Sequence, residues 1–139
     1  MNGRYFLDTN VLVYSFEPAG STKRRVAEDL IRSTLDDGRG MISFQVVQEF
    51  CSVATRKFAQ PFTTADLREY LQKVLAPLCE IQSSTELYLT CLNIQEHSGY
   101  SFYDSLILAA AVAGGCETLY SEDLQDGQTV AGVKIVNPF

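Results

Sequence analysis

Short apolar runs and helix-period stripes alternate along this chain. Tyr5-Phe6-Leu7 predicts a strand over 4–7, and Val11-Leu12-Val13 a helix over about 11–16, closed by Glu17-Pro18-Ala19-Gly20. Ser21 then caps a longer helix to about Leu35, striped by Val26, Ala27, Leu30, Ile31 and Leu35 and ended by Gly38 and Gly40. Met41-Ile42 is a short strand, and Ser43 caps a helix of about 44–59 with Val46, Val47, Phe50, Val53 and Ala54 inward. Thr63 with Asp66 spells a capping box for a helix of about 64–76, and a strand follows over Leu78 to Ile81. Ser83 with Glu86 spells a second box, for a helix of about 84–97. Ser101 with Asp104 spells a third, for a helix of about 102–113 that is apolar nearly all round and therefore buried. Strands at 118–120 and 133–136 complete the series. Short apolar strands alternating with helices predict an α/β fold, a mainly parallel sheet covered by helices on both faces.

Composition narrows this picture. The 139 residues suit one domain spanning 1–139, and a hydrophobic fraction of 46% supports a genuine core. No apolar run approaches the roughly 18 residues of a membrane span, and no basic n-region precedes an apolar h-region, so a cytoplasmic protein is expected. Cys51, Cys79, Cys91 and Cys116 stand at wide spacings and read as reduced thiols. With His97 as the one histidine, zinc sites and Ser-His-Asp or Cys-His catalysis are poorly supplied. Any chemistry must run on carboxylates.

Charge is unevenly spread. The formal net charge is −6, yet residues 1–74 hold ten of the eleven Lys and Arg. Basic residues cluster at Lys23-Arg24-Arg25 and at Arg56-Lys57. Such runs are usually solvated helix faces; Arg24, Arg25, Arg56 and Lys57 are nonetheless the candidates for phosphate contact.

Four acids sit where secondary structure changes hands. Asp8 ends the first strand, Asp123 follows the strand at 118–120, Asp104 lies in the first turn of the apolar helix and Glu49 borders the inward face of its helix. Each has an ordinary structural role: cap, turn, box residue or boundary glutamate. Yet a carboxylate at a strand-to-helix turn stands where open α/β folds place ligands. If the four converge, each pair at about 4 Å repels by on the order of 4 kcal/mol at an effective dielectric near 20. A divalent cation relieves that repulsion, and oxygen-only donors suit Mg2+ or Mn2+. Such an ion can activate water and stabilise charge on a phosphodiester oxygen.

Phe6-Leu7-Asp8-Thr9-Asn10, Glu49, Tyr103-Asp104-Ser105-Leu106-Ile107 and Ser121-Glu122-Asp123, in this order, resemble the PIN domain family, and within it the VapC-like ribonuclease toxins of type II toxin–antitoxin systems. The likeness runs to the end, Gly132-Val133-Lys134-Ile135-Val136-Asn137-Pro138-Phe139. It implies a three-layer α/β/α sandwich and a Mg2+- or Mn2+-dependent endoribonuclease. It also implies a cognate antitoxin protein that covers the site, and a homodimer. By position, Asp8 and Asp104 would be the principal metal ligands, Glu49 and Asp123 would complete the acidic cluster, and Asp126 is a candidate fifth member. Thr9 or Ser121 would hold a carboxylate or water by its hydroxyl.

Other readings stay open. A PIN nuclease could serve RNA processing without a toxin role. A phosphohydrolase using Asp8 as nucleophile would want a second Asp two residues on, where Asn10 stands. A non-catalytic protein-binding module would use the acids as caps alone.

Overall fold

In the computed structural model, which describes residues 3–139, the first apolar run becomes the central strand. This strand, β1 (Arg4–Leu7), pairs in parallel with β2 (Gly40–Ser43) on one side and β4 (Cys116–Tyr120) on the other. Beyond β2 lies β3 (Cys79–Ile81), and beyond β4 lies β6 (Val133–Val136), both parallel. A two-residue edge strand, β5 (Thr129–Val130), runs antiparallel to β6 and was not foreseen from the sequence. The order is β3-β2-β1-β4-β6-β5. Phe6 and Leu7 of β1 are fully buried, as expected of a strand covered on both faces.

Helices flank the sheet in three layers, α/β/α, as the pattern predicted. They are α1 (Thr9–Tyr14), α2 (Thr22–Asp37), α3 (Phe44–Arg56), α4 (Thr64–Tyr70), α5 (Ala76–Leu78), α6 (Thr85–Ser98) and α7 (Phe102–Ala113). The uniformly apolar α7 is indeed buried, from Ser105 through Ala111. No described helix is long and apolar enough to cross a membrane.

Local chemistry corrects several sequence-based expectations. Helix α1 begins at Thr9 rather than 11, because the Asp8 carboxylate itself accepts from the Thr9 N–H. In α2 the inward residue near the end is Thr34, not Leu35, which is 46% exposed. Thr34 Oγ1 lies 2.7 Å from the Leu30 carbonyl and 3.0 Å from the Tyr5 hydroxyl, so its burial is partnered. Ser43 precedes α3 but makes no capping bond, and its hydroxyl is buried without a partner among the described residues. The cap of α6 is Ser84, one residue later than expected, accepting from the Leu87 N–H.

Helix α3 ends at Arg56, three residues short of 59, because the chain turns back on it. The Phe62 N–H donates to the Ala54 carbonyl at 2.9 Å. This return brings Phe58 and Phe62 against Phe50, with Phe16 and Tyr70 beside them; Phe50 and Tyr70 stack at 4.8 Å. Such ring pairs add on the order of 1 kcal/mol each beyond the area they bury.

The helix expected over 64–76 continues to Leu78 through a π-helical turn, Leu71–Leu75. Pro77 lacks an N–H and its ring would crowd the carbonyl four residues back, so a wider turn just before it relieves the clash. The capping box of Thr63 and Asp66 forms in both directions.

Gly40 marks a close helix-to-strand approach. A Cβ there would stand 2.4 Å from Thr34 Cγ2 and 2.5 Å from Tyr5 Cε2. Gly40→Ala should therefore lower stability by about 1–3 kcal/mol, read as a reduced urea midpoint with unchanged slope; an unchanged midpoint would refute the close packing described here.

Candidate active site

The strand order reverses beside β1. From β1 the chain moves out to β2 and β3, then returns to β4 on the opposite side. The carboxyl ends of β1 and β4 thus face a crevice of the kind in which α/β sheets bind ligands. Leu7 is paired with Tyr120, so the next residues, Asp8 and Ser121, emerge side by side at that end.

Asp8 is 7% exposed. Its Oδ1 accepts from the Thr9 N–H at 2.7 Å and its Oδ2 from the Ser121 hydroxyl at 2.7 Å. Burial pushes its pKa up to about 6, against the lowering effect of those two donors, and the negative charges of Glu49 and Asp123 push it further the same way. Glu49 and Asp123 are therefore near enough to act on Asp8.

Each neighbour is tethered. Thr9 Oγ1 donates to Glu49 Oε1 at 2.5 Å, and Gln45 Nε2 donates to Glu49 Oε2 at 3.3 Å. Asn10 Nδ2 donates to Asp123 Oδ2 at 3.2 Å, while the Asp123 N–H reaches Ser121 Oγ at 3.2 Å. Ser121 thus joins Asp8 to the Asp123 loop. That loop is pinned again at Glu122, which receives a hydrogen bond from the Tyr14 hydroxyl and an ion pair from Lys23 Nζ at 2.7 Å.

Asp104 stands apart. The Ser101 hydroxyl accepts from its N–H at 3.2 Å, but the return bond that would complete the expected capping box is missing. Its half-buried carboxylate takes no hydrogen bond among the described residues, and the like charges that act most on Asp8 are Glu49 and Asp123 rather than Asp104. Its link to the other acids runs through the preceding residue: Gln45 Nε2 also donates to the Tyr103 carbonyl, at 3.1 Å. Asp126 is committed elsewhere, its Oδ1 accepting from the Asn137 N–H at 2.8 Å.

Among the described residues, no three His, Cys, Asp or Glu side chains stand close enough to share one metal ion as they are placed here. The chemistry of the donor set still fits a hard divalent cation. The donors are oxygens only, and a buried carboxylate flanked by two like charges has the electrostatic deficit that such a cation repairs.

Glu49 and Asp123 open onto a groove of about 440 Å³ that Asn10, Tyr14, Ser52 and Arg56 also border. Arg56 is one wall of it, its guanidinium nitrogens 2.8 and 3.2 Å from Ser52 Oγ. Lys57 is the exposed C-cap of α3. Arg24 and Arg25 do not border this groove. Arg24 donates to the Glu17 carbonyl at 3.0 Å and pairs with Glu28 at 3.5 Å. Sequence reading missed Asn10, Gln45, Tyr14 and Lys23. Asn10 adjoins Asp8 and Gln45 lies one helical turn before Glu49, and that spacing was the available signal.

The PIN domain family model matches residues 5–126. No curated protein matches the chain in sequence. Among solved structures, a toxin–antitoxin complex from Klebsiella pneumoniae aligns at TM-score 0.70 and 19% identity, covering 97% of this chain and 98% of that one. VapC20 of Mycobacterium tuberculosis, a Sarcin-Ricin loop cleaving toxin, aligns at TM-score 0.62 and 19% identity over 86% and 89% of the two chains. DNA-bound VapBC from Salmonella typhimurium aligns at TM-score 0.66 and 18% identity over 98% of each.

The raised pKa of Asp8 sets a stability test. The native state keeps the proton that the unfolded chain releases near its ordinary 3.8, so stability is fullest below about 4 and is lost as pH rises through about 6. For metal-free protein the loss from this group is on the order of 3 kcal/mol. Asp8→Asn should remove it: urea midpoints in chelator should match wild type near pH 4 and exceed it near pH 7.5. The same downward slope in the variant would refute the burial argument.

Proposed function

The chain belongs to the PIN domain family, and on that premise we propose that it is a Mg2+- or Mn2+-dependent endoribonuclease, the toxin of a toxin–antitoxin pair. The observation that carries this reading is the buried Asp8 carboxylate at the sheet's switch point, held by Ser121 and Thr9 and acted on by Glu49 and Asp123. Asp8, Glu49, Asp104 and Asp123 would hold the cation, which when bound supplies a Lewis acid and a water of lowered pKa.

The remaining work falls to the chain's own side chains. The Thr9 N–H and the Ser121 hydroxyl each engage one Asp8 oxygen, which fixes the plane of the carboxylate. Thr9 and Gln45 engage one Glu49 oxygen each. Asn10 and the Ser121 hydroxyl hold Asp123 by its carboxylate and its N–H. Orientation of this kind is arranged before substrate arrives, so no step of the reaction has to supply it. Arg56, on the groove wall, offsets the negative field of the acids and is placed to meet a phosphate. Thr9 and Ser121 serve as accessory hydroxyls. Asp126 and Arg24, held elsewhere, and Arg25, which does not border the groove, contribute less.

The toxin role draws on the likeness to toxin–antitoxin complexes. It assigns the chain a cognate antitoxin protein, a homodimeric state and a place in the cytoplasm, as one catalytic domain over 1–139.

Purified protein should cleave RNA when Mg2+ or Mn2+ is added and stop when the metal is chelated. Asp8→Asn should fold and lose at least about 100-fold in rate. Full activity in that variant would overturn the assignment. Metal should also raise the melting temperature of wild type and leave Asp8→Asn unchanged. Arg56→Glu should weaken RNA binding and flatten the slope of log K against log salt by about one unit; an unaltered slope would remove Arg56 from the RNA contact.

A further inference from the structure

We propose that Gln45 is a positioning residue that orients Glu49 against the first turn of α7, so that the site's affinity for its cation depends on an amide that does not itself touch the ion. The inference rests on the proposed function above.

Gln45 is the second residue of α3 and lies one turn before Glu49 on the same face. It is 4% exposed. Its single amide nitrogen serves two helices: it donates to Glu49 Oε2 at 3.3 Å and to the Tyr103 carbonyl on α7 at 3.1 Å. Both partners are acceptors, so the NH2 end must face them and the amide has one admissible orientation. The other Glu49 oxygen takes the Thr9 hydroxyl at 2.5 Å. Glu49 is thereby gripped from α1 on one side and, through Gln45, from α7 on the other. Among the described residues no other side chain joins one of the four acids to the helix that carries Asp104.

The amide is expensive where it stands. Gln45 Oε1 is buried with no partner among the described residues. A buried polar atom left unpaired costs stability, and an apolar side chain of similar length would avoid that cost. Packing alone therefore favours Met or Leu at this position. What the amide adds is the two-helix clamp. Groups that orient a ligating carboxylate, without ligating, typically change metal affinity by 10–100-fold when removed.

The test is Mn2+ binding by calorimetry on the full chain, with melting in chelator as a parallel readout. Gln45→Met should weaken Mn2+ binding about 10-fold or more while the melting temperature in chelator holds or rises. Gln45→Leu, a second apolar variant, should do the same. In a Glu49→Ala background, where there is no carboxylate left to orient, Gln45→Met should cost less than about 3-fold, because coupled residues are non-additive. An unchanged affinity in Gln45→Met and Gln45→Leu overturns the inference. So does a full loss that persists in the Glu49→Ala background, which would mark general damage. If wild-type protein itself shows no Mn2+ binding, the proposed function fails and this inference with it; wild-type binding with unaltered variants overturns the inference alone.

Discussion

Asp8 carries a carboxylate into a place from which water is excluded. It does so at the end of the central strand, with β2 on one side and β4 on the other, so the strands that bury Phe6 and Leu7 also deliver this charge out of solvent. Burial of an ionised carboxyl is costly unless hydrogen bonds or counter-charges make up the lost hydration. Ser121 and the Thr9 N–H supply part of that; Glu49 and Asp123 work against it. The result is a rigid, electrostatically unfinished site whose deficit is of the sign a divalent cation corrects.

Much of the surrounding structure serves to keep that unfinished site from collapsing or opening. Ser121 joins Asp8 to the loop after β4, and Lys23 and Tyr14 pin the same loop through Glu122. Phe139 packs its ring against Tyr14 at 5.0 Å, which brings the end of the chain into the same support. On the other side, the aromatic group around Phe50 holds α3 in place and with it Glu49. These contacts come from α1, α2, α3 and Phe139, so like charges are kept close by packing distributed over the molecule as well as by the tethers of Thr9, Asn10 and Ser121.

A consequence is that local and tertiary demands meet in the same residues. Asp8 is at once the N-cap of α1 and the centre of the acidic site, and Ser121 is both the strand-end hydroxyl and the hinge between two acids. Asp104 shows the opposite outcome. Its backbone is capped by Ser101, but its carboxylate does not return the box bond and takes no hydrogen bond among the described residues. Reading a capping motif as purely structural would have hidden this, because the motif constrains the backbone and leaves the acid's direction to the neighbours.

The alternation of short apolar runs with amphipathic stripes was enough to specify a parallel α/β sandwich, since a strand buried on both faces needs apolar residues at every position and a flanking helix needs one stripe. The strand ends, and so the places of Asp8 and Asp123, followed from the same pattern. Helix limits were less legible wherever a distant residue decided them: α3 stops early because Phe62 folds back onto Ala54, and α2 turns Thr34 inward because Tyr5 offers it a hydroxyl. The sequence by itself determined which carboxylates stand at element boundaries. Only the tertiary structure decided that Glu49 and Asp123 act on Asp8 while Asp104 is reached through Gln45 and Asp126 turns to Asn137. Side-chain convergence depends on how separate elements pack, and no periodicity within one element encodes that distance.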